Sequence, residues 1–215
     1  KDGSGIIQYL DTNMSISSKN MAILMIIVSD NIATNKLIEY LGYENINNTI
    51  KNLGFTKTKL IAKTLDFTKY NSIGVTTAYE YAEIYRKLLN KEILNEDICD
   101  EIIDILSKQQ KRDMLIKNIV PKFLYEKGTD NGFINYIASK SGGLGGKYKD
   151  IVICRNDGGI FSTKCGDYIV SIFINNFADY YFYNDNPAII LGSKINKLLF
   201  ETFKENGGTF FKVEN

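Results

Sequence analysis

Two short polar stretches place residues suited to proton transfer and anion binding within otherwise structured parts of the chain. Lys140-Ser141-Gly142-Gly143 sets a cation beside a small hydroxyl, and its glycines allow a substrate to lie along a strand edge near backbone N–H groups. Ser29-Asp30-Asn31 interrupts a long helical stretch. Taken singly, the lysine motif also fits a hairpin turn with a solvated lysine. The Ser29 motif taken singly also fits an interhelical turn with Asp30 or Asn31 as N-cap.

The elements before residue 113 are predicted to be helical. Apolar residues recur at helical spacing, and Ser17 and Thr77 stand where N-caps are expected, with Glu80 three residues after Thr77 as in a capping box. Gly42 fits a helix C-terminus. Residues 55–74 show no clean period and predict a loop or mixed segment. The predicted helices cover residues 18–28, 32–41, 44–52, 77–90 and 95–110.

The remainder of the chain predicts strands and a closing helix. Apolar and β-branched residues are bounded by Gly, Asp or Asn, which indicates an antiparallel meander of three strands over residues 133–143, 147–155 and 167–176. A last helix over residues 187–203 begins at a proline. Its side chains available for packing onto the sheet are Ile189, Ile190, Ile195, Leu198 and Leu199. A helical block followed by antiparallel strands predicts an α+β fold with an undersized sheet.

Composition excludes several kinds of site. The chain of 215 residues has no histidine, which excludes Ser-His-Asp and Cys-His mechanisms within it and histidine-ligated metals. Cys99, Cys154 and Cys165 show no CxxC spacing; a Cys154–Cys165 bridge across a hairpin is an alternative to three buried free thiols. The net charge of +1 predicts no affinity for nucleic acid or membrane surfaces. We expect neither a metal nor a cofactor.

Together the two polar motifs are much more specific than either alone. S-D-N between two helices, followed by K-S-G on a strand, matches two of the three motifs S-x-x-K, S-D-N and K-T-G. On these residues, and on "MAILMIIVSDNIATNKLIEYLG" and "SKSGGLGGKYKDIVIC", the chain resembles the class A β-lactamases and related penicillin-binding serine hydrolases. The resemblance covers essentially the whole chain. It implies a three-layer α/β/α transpeptidase-like domain over residues 1–215, with a helical lobe at 18–125 and strands plus the closing helix at 131–215.

The resemblance also implies roles for the motif residues. A serine nucleophile would be acylated, Ser29 would relay a proton to the leaving nitrogen, and Lys140 would lie beside Ser29 and attract a substrate carboxylate. Ser141 would donate a hydrogen bond to that carboxylate.

The other motif residues would bind or position the substrate. Asn31 would contact the substrate's side-chain amide, and Gly142 would let the substrate approach the strand. The N–H of Gly143 would supply half of an oxyanion hole. Asp30 would hold the turn in a structural role.

The chain departs from the family's pattern at two positions. No serine in residues 1–215 has a lysine three positions later, so the nucleophile is expected upstream, about sixty residues before Ser29, in a longer chain. The family's deacylating glutamate would fall near Thr64, where there is no Glu. Asp66 is the only carboxylate nearby and is therefore the candidate general base.

These motifs predict a β-lactamase-like serine acyl hydrolase with slow deacylation, acting on a small β-lactam or a peptide of the cell wall. The alternatives are a penicillin-recognising sensor without turnover and a cell-wall peptidase of the same fold. We expect an extracytoplasmic bacterial protein, secreted or membrane-anchored. If the first helix and strands of the fold lie outside this chain, the open sheet edge could support self-association.

Overall fold

The computed structural model describes residues 3–11, 13–65, 72–119, 133–145, 153–179 and 181–211. These residues form an α+β fold with helices and antiparallel sheets, as the sequence predicts. The described helices are α1 (Ser18–Ile27), α2 (Asn31–Leu41), α3 (Tyr43–Asn52), α4 (Ala78–Leu89), α5 (Glu96–Ser107) and α6 (Pro187–Glu205), with a short 3-10 turn at Ile7–Tyr9. The strands are β1 (Lys59–Leu60), β2 (Gly74–Val75), β3 (Ile134–Leu144), β4 (Cys154–Thr163) and β5 (Gly166–Asn175).

The chain divides into two compact units, and the described part of the first ends at Lys111. Four of its helices begin at a polar N-cap whose side chain accepts a hydrogen bond from a backbone N–H in the first turn. This local pairing explains why the helix starts agree with the sequence prediction. The capping residues are Ser17 for α1, Asp30 for α2, Thr77 for α4 and Asn95 for α5.

Residues 55–74, predicted to be loop or mixed, contain a two-stranded antiparallel pairing of β1 with β2. The side chain of Glu80, at the start of α4, supports this segment. Its carboxylate accepts hydrogen bonds from the N–H groups of Thr56 and Lys57, both at 2.9 Å, and from the hydroxyl of Thr58 at 2.5 Å. Only half of the predicted capping box forms: Thr77 accepts from the Glu80 N–H, whereas the Glu80 carboxylate bonds the loop instead.

Replacing Glu80 with glutamine should lower the melting temperature by roughly 5 °C at pH 7, because an amide cannot accept all of these bonds. Burial alone would raise the pKa of Glu80, but the bonds from Thr58, Lys57 and Thr56 outweigh burial and lower it from 4.5 to about 2. The stability that its ionised form provides is therefore present above pH 4.5 and lost as the pH falls through 2.

Thermal unfolding at pH 7 and at pH 3 measures this contribution. The difference between wild type and Glu80→Gln should shrink at the lower pH. Glu39→Gln is the matched control, since Glu39 is exposed and its carboxylate accepts a hydrogen bond from Lys36 at 2.8 Å. Equal melting temperatures for Glu80→Gln and wild type at pH 7 would refute the role of the carboxylate.

The second unit begins at Arg112 and contains a three-stranded antiparallel sheet in the order β3-β4-β5. The first and third strands lie where the sequence predicts them. The second strand, predicted to end at residue 155, continues to residue 163, and its described part is Cys154–Thr163. Residues 147–152 lie outside the described part of the chain, and the Asn156–Gly159 stretch, which is typical of a turn, lies within β4.

Glycine at position 159 is required by the close approach of β3 and β4. A Cβ at Gly159 would lie 2.5 Å from the carbonyl oxygen of Ala138 and 2.6 Å from the Cβ of Ser139. Because the backbone of β3 fills that space, no side chain can be accommodated there. Gly159 therefore reflects tight strand packing and not chain reversal.

The core of the second unit lies between the sheet and α6. Phe161 stacks on Tyr168 at 4.9 Å, and Tyr168 contacts Phe203 of α6 at 5.0 Å between ring centroids. Two of the packing residues predicted on α6 are wrong: Ile195 and Leu198 are exposed. The buried face is rotated relative to that prediction and includes small and polar residues, namely Ala188, Ile189, Gly192, Ser193, Asn196, Phe200 and Phe203.

All three cysteines are free thiols, but they are not equally buried. Cys99 is buried, Cys154 is intermediate and Cys165 is exposed, so the prediction of three buried thiols is wrong for Cys165. Cys154 begins β4 and Cys165 follows its end, which places them at opposite ends of one strand. Among the described residues, no helix has the length and apolar character needed to cross a membrane.

Candidate functional site

The S-D-N turn joins α1 to α2 and has an uncommon backbone conformation. Ser29 has a φ of 55°, in the left-handed region that non-glycine residues rarely occupy. The turn is closed on one side by the N–H groups of Val28 and Asp30, which both donate to the carbonyl of Leu24. Strain of this kind costs on the order of 1 kcal/mol and is often found at functional positions.

Asp30 holds the turn through buried hydrogen bonds. It is 1% exposed, and its Oδ1 accepts from the N–H of Ala33 at 3.0 Å, which caps α2. Its Oδ2 accepts from the N–H groups of Ile6 at 2.7 Å and Ile7 at 2.9 Å. The carboxylate therefore fixes two chain segments at once, as its predicted structural role requires.

The segment Gly3 to Gly5 lies against the S-D-N turn, a feature that the sequence analysis did not identify. The Asn31 N–H donates to the carbonyl of Ser4 at 3.1 Å. A Cβ on Gly5 would lie 2.2 Å from Asp30 Oδ2, and a Cβ on Gly3 would lie 2.0 Å from Asn31 Nδ2. Both glycines also have positive φ, so only glycine allows the backbone to approach this closely.

The K-S-G motif lies in β3 and alternates between the two faces of the sheet. Ser141 is 7% exposed and pairs in register with Asp157 of β4, so its side chain is on the Asp157 face. Lys140 is half-buried, pairs with Gly158 and is on the other face. The Lys140 ammonium donates to the carbonyl of Ser141 at 2.5 Å.

The two motif glycines have different surroundings. Gly142 is exposed, and a Cβ there would meet nothing within 4 Å. A Cβ at Gly143 would lie 3.1 Å from the Cδ of Arg155 and 3.2 Å from the ring of Phe182. The end of the motif is therefore crowded, and the middle is open.

Arg155 is a buried cation beside this motif that the sequence analysis did not select. Its guanidinium donates to the carbonyls of Leu144, Cys154 and Tyr181, each at 2.8 Å. The Phe182 ring lies 3.9 Å from the guanidinium carbon. Burial lowers the pKa of Arg155, and the nearby acidic groups of Asp113 and Asp179 offset part of this effect. The guanidinium thus fixes the end of β3 to the segment around residue 181.

Asp157 is a second buried charged residue near the motif that the sequence analysis did not select. It is 2% exposed, and its carboxylate accepts from the N–H of Leu115 at 3.2 Å and of Gly158 at 2.9 Å. The only sequence signal was a charged residue between two apolar stretches, which is also what a turn would show.

The structure places the predicted site residues in two groups. Ser29 and Asn31 lie together in the first unit, and Lys140, Ser141, Gly142 and Gly143 lie together in the second. Asp66, the candidate general base, lies outside the described residues. Within the described ranges, no group of three or more Cys, Asp or Glu side chains is arranged to hold a metal ion.

Comparison with known proteins gives a consistent result. A family model described as "Beta-lactamase enzyme family" matches residues 1–203. No curated protein matches the sequence significantly. A β-lactamase from Sphaerobacter thermophilus is 23% identical, with a TM-score of 0.72 over 92% of this chain and 66% of that one. PBP-A is 24% identical, with a TM-score of 0.72 over 95% of this chain and 68% of that one.

A third similar structure is a representative of class A β-lactamase from Bacteroides cellulosilyticus. It is 20% identical, with a TM-score of 0.73 over 92% of this chain and 68% of that one. The chain therefore spans about two thirds of the length of these structures. At such identities the structural similarity shows a shared fold.

Proposed function

Because the chain belongs to the beta-lactamase enzyme family, we propose that it forms most of a serine acyl hydrolase that opens β-lactams or related amides and esters through an acyl-enzyme. The nucleophile in this proposal is a serine of an S-x-x-K motif outside residues 1–215. A cell-wall peptide is the alternative substrate. The site of action is extracytoplasmic, where both kinds of substrate occur.

The proposal rests on one observation in the S-D-N turn: Asp30 and Ser29 have different roles. Asp30 makes the buried bonds that hold the turn, whereas the neighbouring Ser29 occupies a strained backbone conformation. A strained serine on a rigid turn is better explained by a chemical role than by stability. In the proposed reaction, the Ser29 hydroxyl relays a proton to the leaving nitrogen, and Asn31 binds the substrate's side-chain amide.

The K-S-G strand has the complementary role. Lys140 supplies the positive charge that attracts the substrate carboxylate. The Ser141 side chain is buried on the opposite face of the sheet from Lys140, so its predicted contact with that carboxylate is not part of this proposal. Gly142 leaves room for the substrate, and the Gly143 N–H stabilises the oxyanion. These residues share one strand, whose register β4 fixes.

Deacylation is proposed to be slow, because residues 55–74 hold no glutamate to activate water. Asp66 is the carboxylate that could take this role. A PBP-A variant has been solved as an acyl-enzyme complex with penicillin G, so a related fold can hold such an adduct. A penicillin-recognising sensor that keeps its acyl group is therefore the second candidate function.

Replacing Lys140 with alanine in the full-length protein should slow acylation by a fluorescent penicillin by at least about tenfold, or about 1.4 kcal/mol of barrier. The loss is expected because the positive charge at the substrate carboxylate is removed. Stopped-flow or gel fluorescence measures the rate of adduct formation.

Lys197→Ala is the matched control for Lys140→Ala. It removes one lysine charge from the same unit, but Lys197 lies on α6 and its ion pair is to Glu201 at 3.6 Å. We expect this variant to acylate at the wild-type rate. An unchanged acylation rate in Lys140→Ala would show that Lys140 takes no part in the reaction.

A further inference from the structure

Asp157 lies directly behind the K-S-G strand. It pairs in register with Ser141 of β3, and residues paired in this way have their side chains on the same face of the sheet. Phe161, four residues further along β4, has its ring on that same face and stacks on Tyr168. The Asp157 carboxylate therefore lies on the face of the sheet that packs against α6.

The carboxylate is tied to a chain segment that is itself held in place. Asp157 accepts from the N–H of Leu115, and the carbonyl of Leu115 accepts from Asn196 of α6 at 2.8 Å. Asn118 of the same segment donates to Ser193 of α6 at 2.7 Å. The segment around Leu115 is therefore bonded to β4 on one side and to α6 on the other. A change at Asp157 acts directly on the strand that pairs with the motif.

The ionisation of Asp157 responds to charges around it. Burial raises the pKa of Asp157 strongly, and the nearby Asp113 raises it further. The N–H groups of Leu115 and Gly158 lower it, as does the charge of Lys140, and the balance is a pKa of about 7. Arg155 lies two residues away on the same strand and on the same face. The carboxyl group can therefore gain or lose its proton near neutral pH.

We propose that Asp157 is a positioning residue for the acyl-transfer site, which fixes the K-S-G strand from behind and whose charge is coupled to that of Lys140 through the sheet. This inference rests on the proposed function. Coupling of this kind is reciprocal: if Lys140 favours the ionised form of Asp157, ionised Asp157 favours the cationic form of Lys140 by the same free energy. The electrostatic potential at the Lys140 ammonium therefore changes when Asp157 gains or loses its proton.

A titration of the Asp157 carboxyl carbon by ¹³C NMR in the full-length protein tests the coupling without requiring activity. Lys140→Ala should raise the pKa of Asp157, whereas Lys197→Ala should leave it unchanged. An Asp157 pKa that is equal in Lys140→Ala and wild type would overturn the inference. Because no substrate is present, this result is independent of whether the protein is acylated.

The pH profile of acylation tests the consequence for the reaction. The wild-type rate should show an inflection near pH 7, which Asp157→Asn should lose and Asp157→Glu should keep. A merely structural role would lower the rate at every pH and leave the inflection in place, which would overturn the inference. If Asp157→Asn does not fold, the NMR titration and the Asp157→Glu profile decide. If the wild type is never acylated, the proposed function fails while the NMR result still stands.

Discussion

Replacing Asp30 with alanine is expected to lower the free energy of unfolding by about 3 kcal/mol, which sums the loss of a helix cap and of two further buried bonds. The N–H groups of Ala33, Ile6 and Ile7 would all lose their acceptor. A buried donor left without a partner keeps its full desolvation penalty. Urea unfolding followed by circular dichroism measures the change.

Asn95→Ala is the matched control for Asp30→Ala. Asn95 caps α5 through one exposed bond, to the N–H of Ile98 at 3.0 Å, so its loss should cost about 1 kcal/mol. If Asp30→Ala destabilises the protein no more than Asn95→Ala does, the aspartate is an ordinary cap. The account of Asp30 as the residue that holds the S-D-N turn would then be wrong.

Replacing Gly159 with alanine is the second large change, with an expected loss of about 3 kcal/mol from overpacking. The new Cβ would lie 2.5 Å from the carbonyl oxygen of Ala138 and 2.8 Å from the Cα of Ser139. Backbone atoms cannot move aside as the end of a side chain can, so β3 and β4 must separate. Because the K-S-G motif begins one residue after Ser139, acylation should also fall.

Gly142→Ala is the control in the same sheet. It adds the same methyl group where nothing lies within 4 Å, so the stability should change by less than about 1 kcal/mol. Urea unfolding of both variants gives the comparison. Equal stability of Gly159→Ala and Gly142→Ala would mean that β3 and β4 are not as tightly packed as the structure indicates.

The sequence predicts those elements whose signals are local. Ser17, Thr77 and Asn95 each bond an N–H three residues away, so their helices begin where the pattern places them. The end of β4, predicted at residue 155 but found at Thr163, is the main failure. Asn156-Asp157-Gly158-Gly159 is typical of a turn. Gly159 is instead explained by its contact with β3, and the buried Asp157 by its bond from Leu115, and both partners are distant in sequence.

The same difference between local and long-range signals explains which residues of the candidate site the sequence identifies. S-D-N and K-S-G are contiguous strings, so the sequence alone identifies them. The residues that support them are identified only by long-range partners: Asp30 by Ile6 and Ile7, Arg155 by Tyr181, and Asp157 by Leu115. No spacing along the chain predicts such pairs, because they depend on how separate segments pack.

The most direct test of the central claim is to map the acylated residue in the full-length protein. The protein is incubated with penicillin and digested, and the peptide that carries the adduct is identified by mass spectrometry. We predict an adduct on a serine of an S-x-x-K motif outside residues 1–215 and none on Ser29 or Ser141. An adduct on either of those residues, or no adduct at any penicillin concentration, would contradict the account.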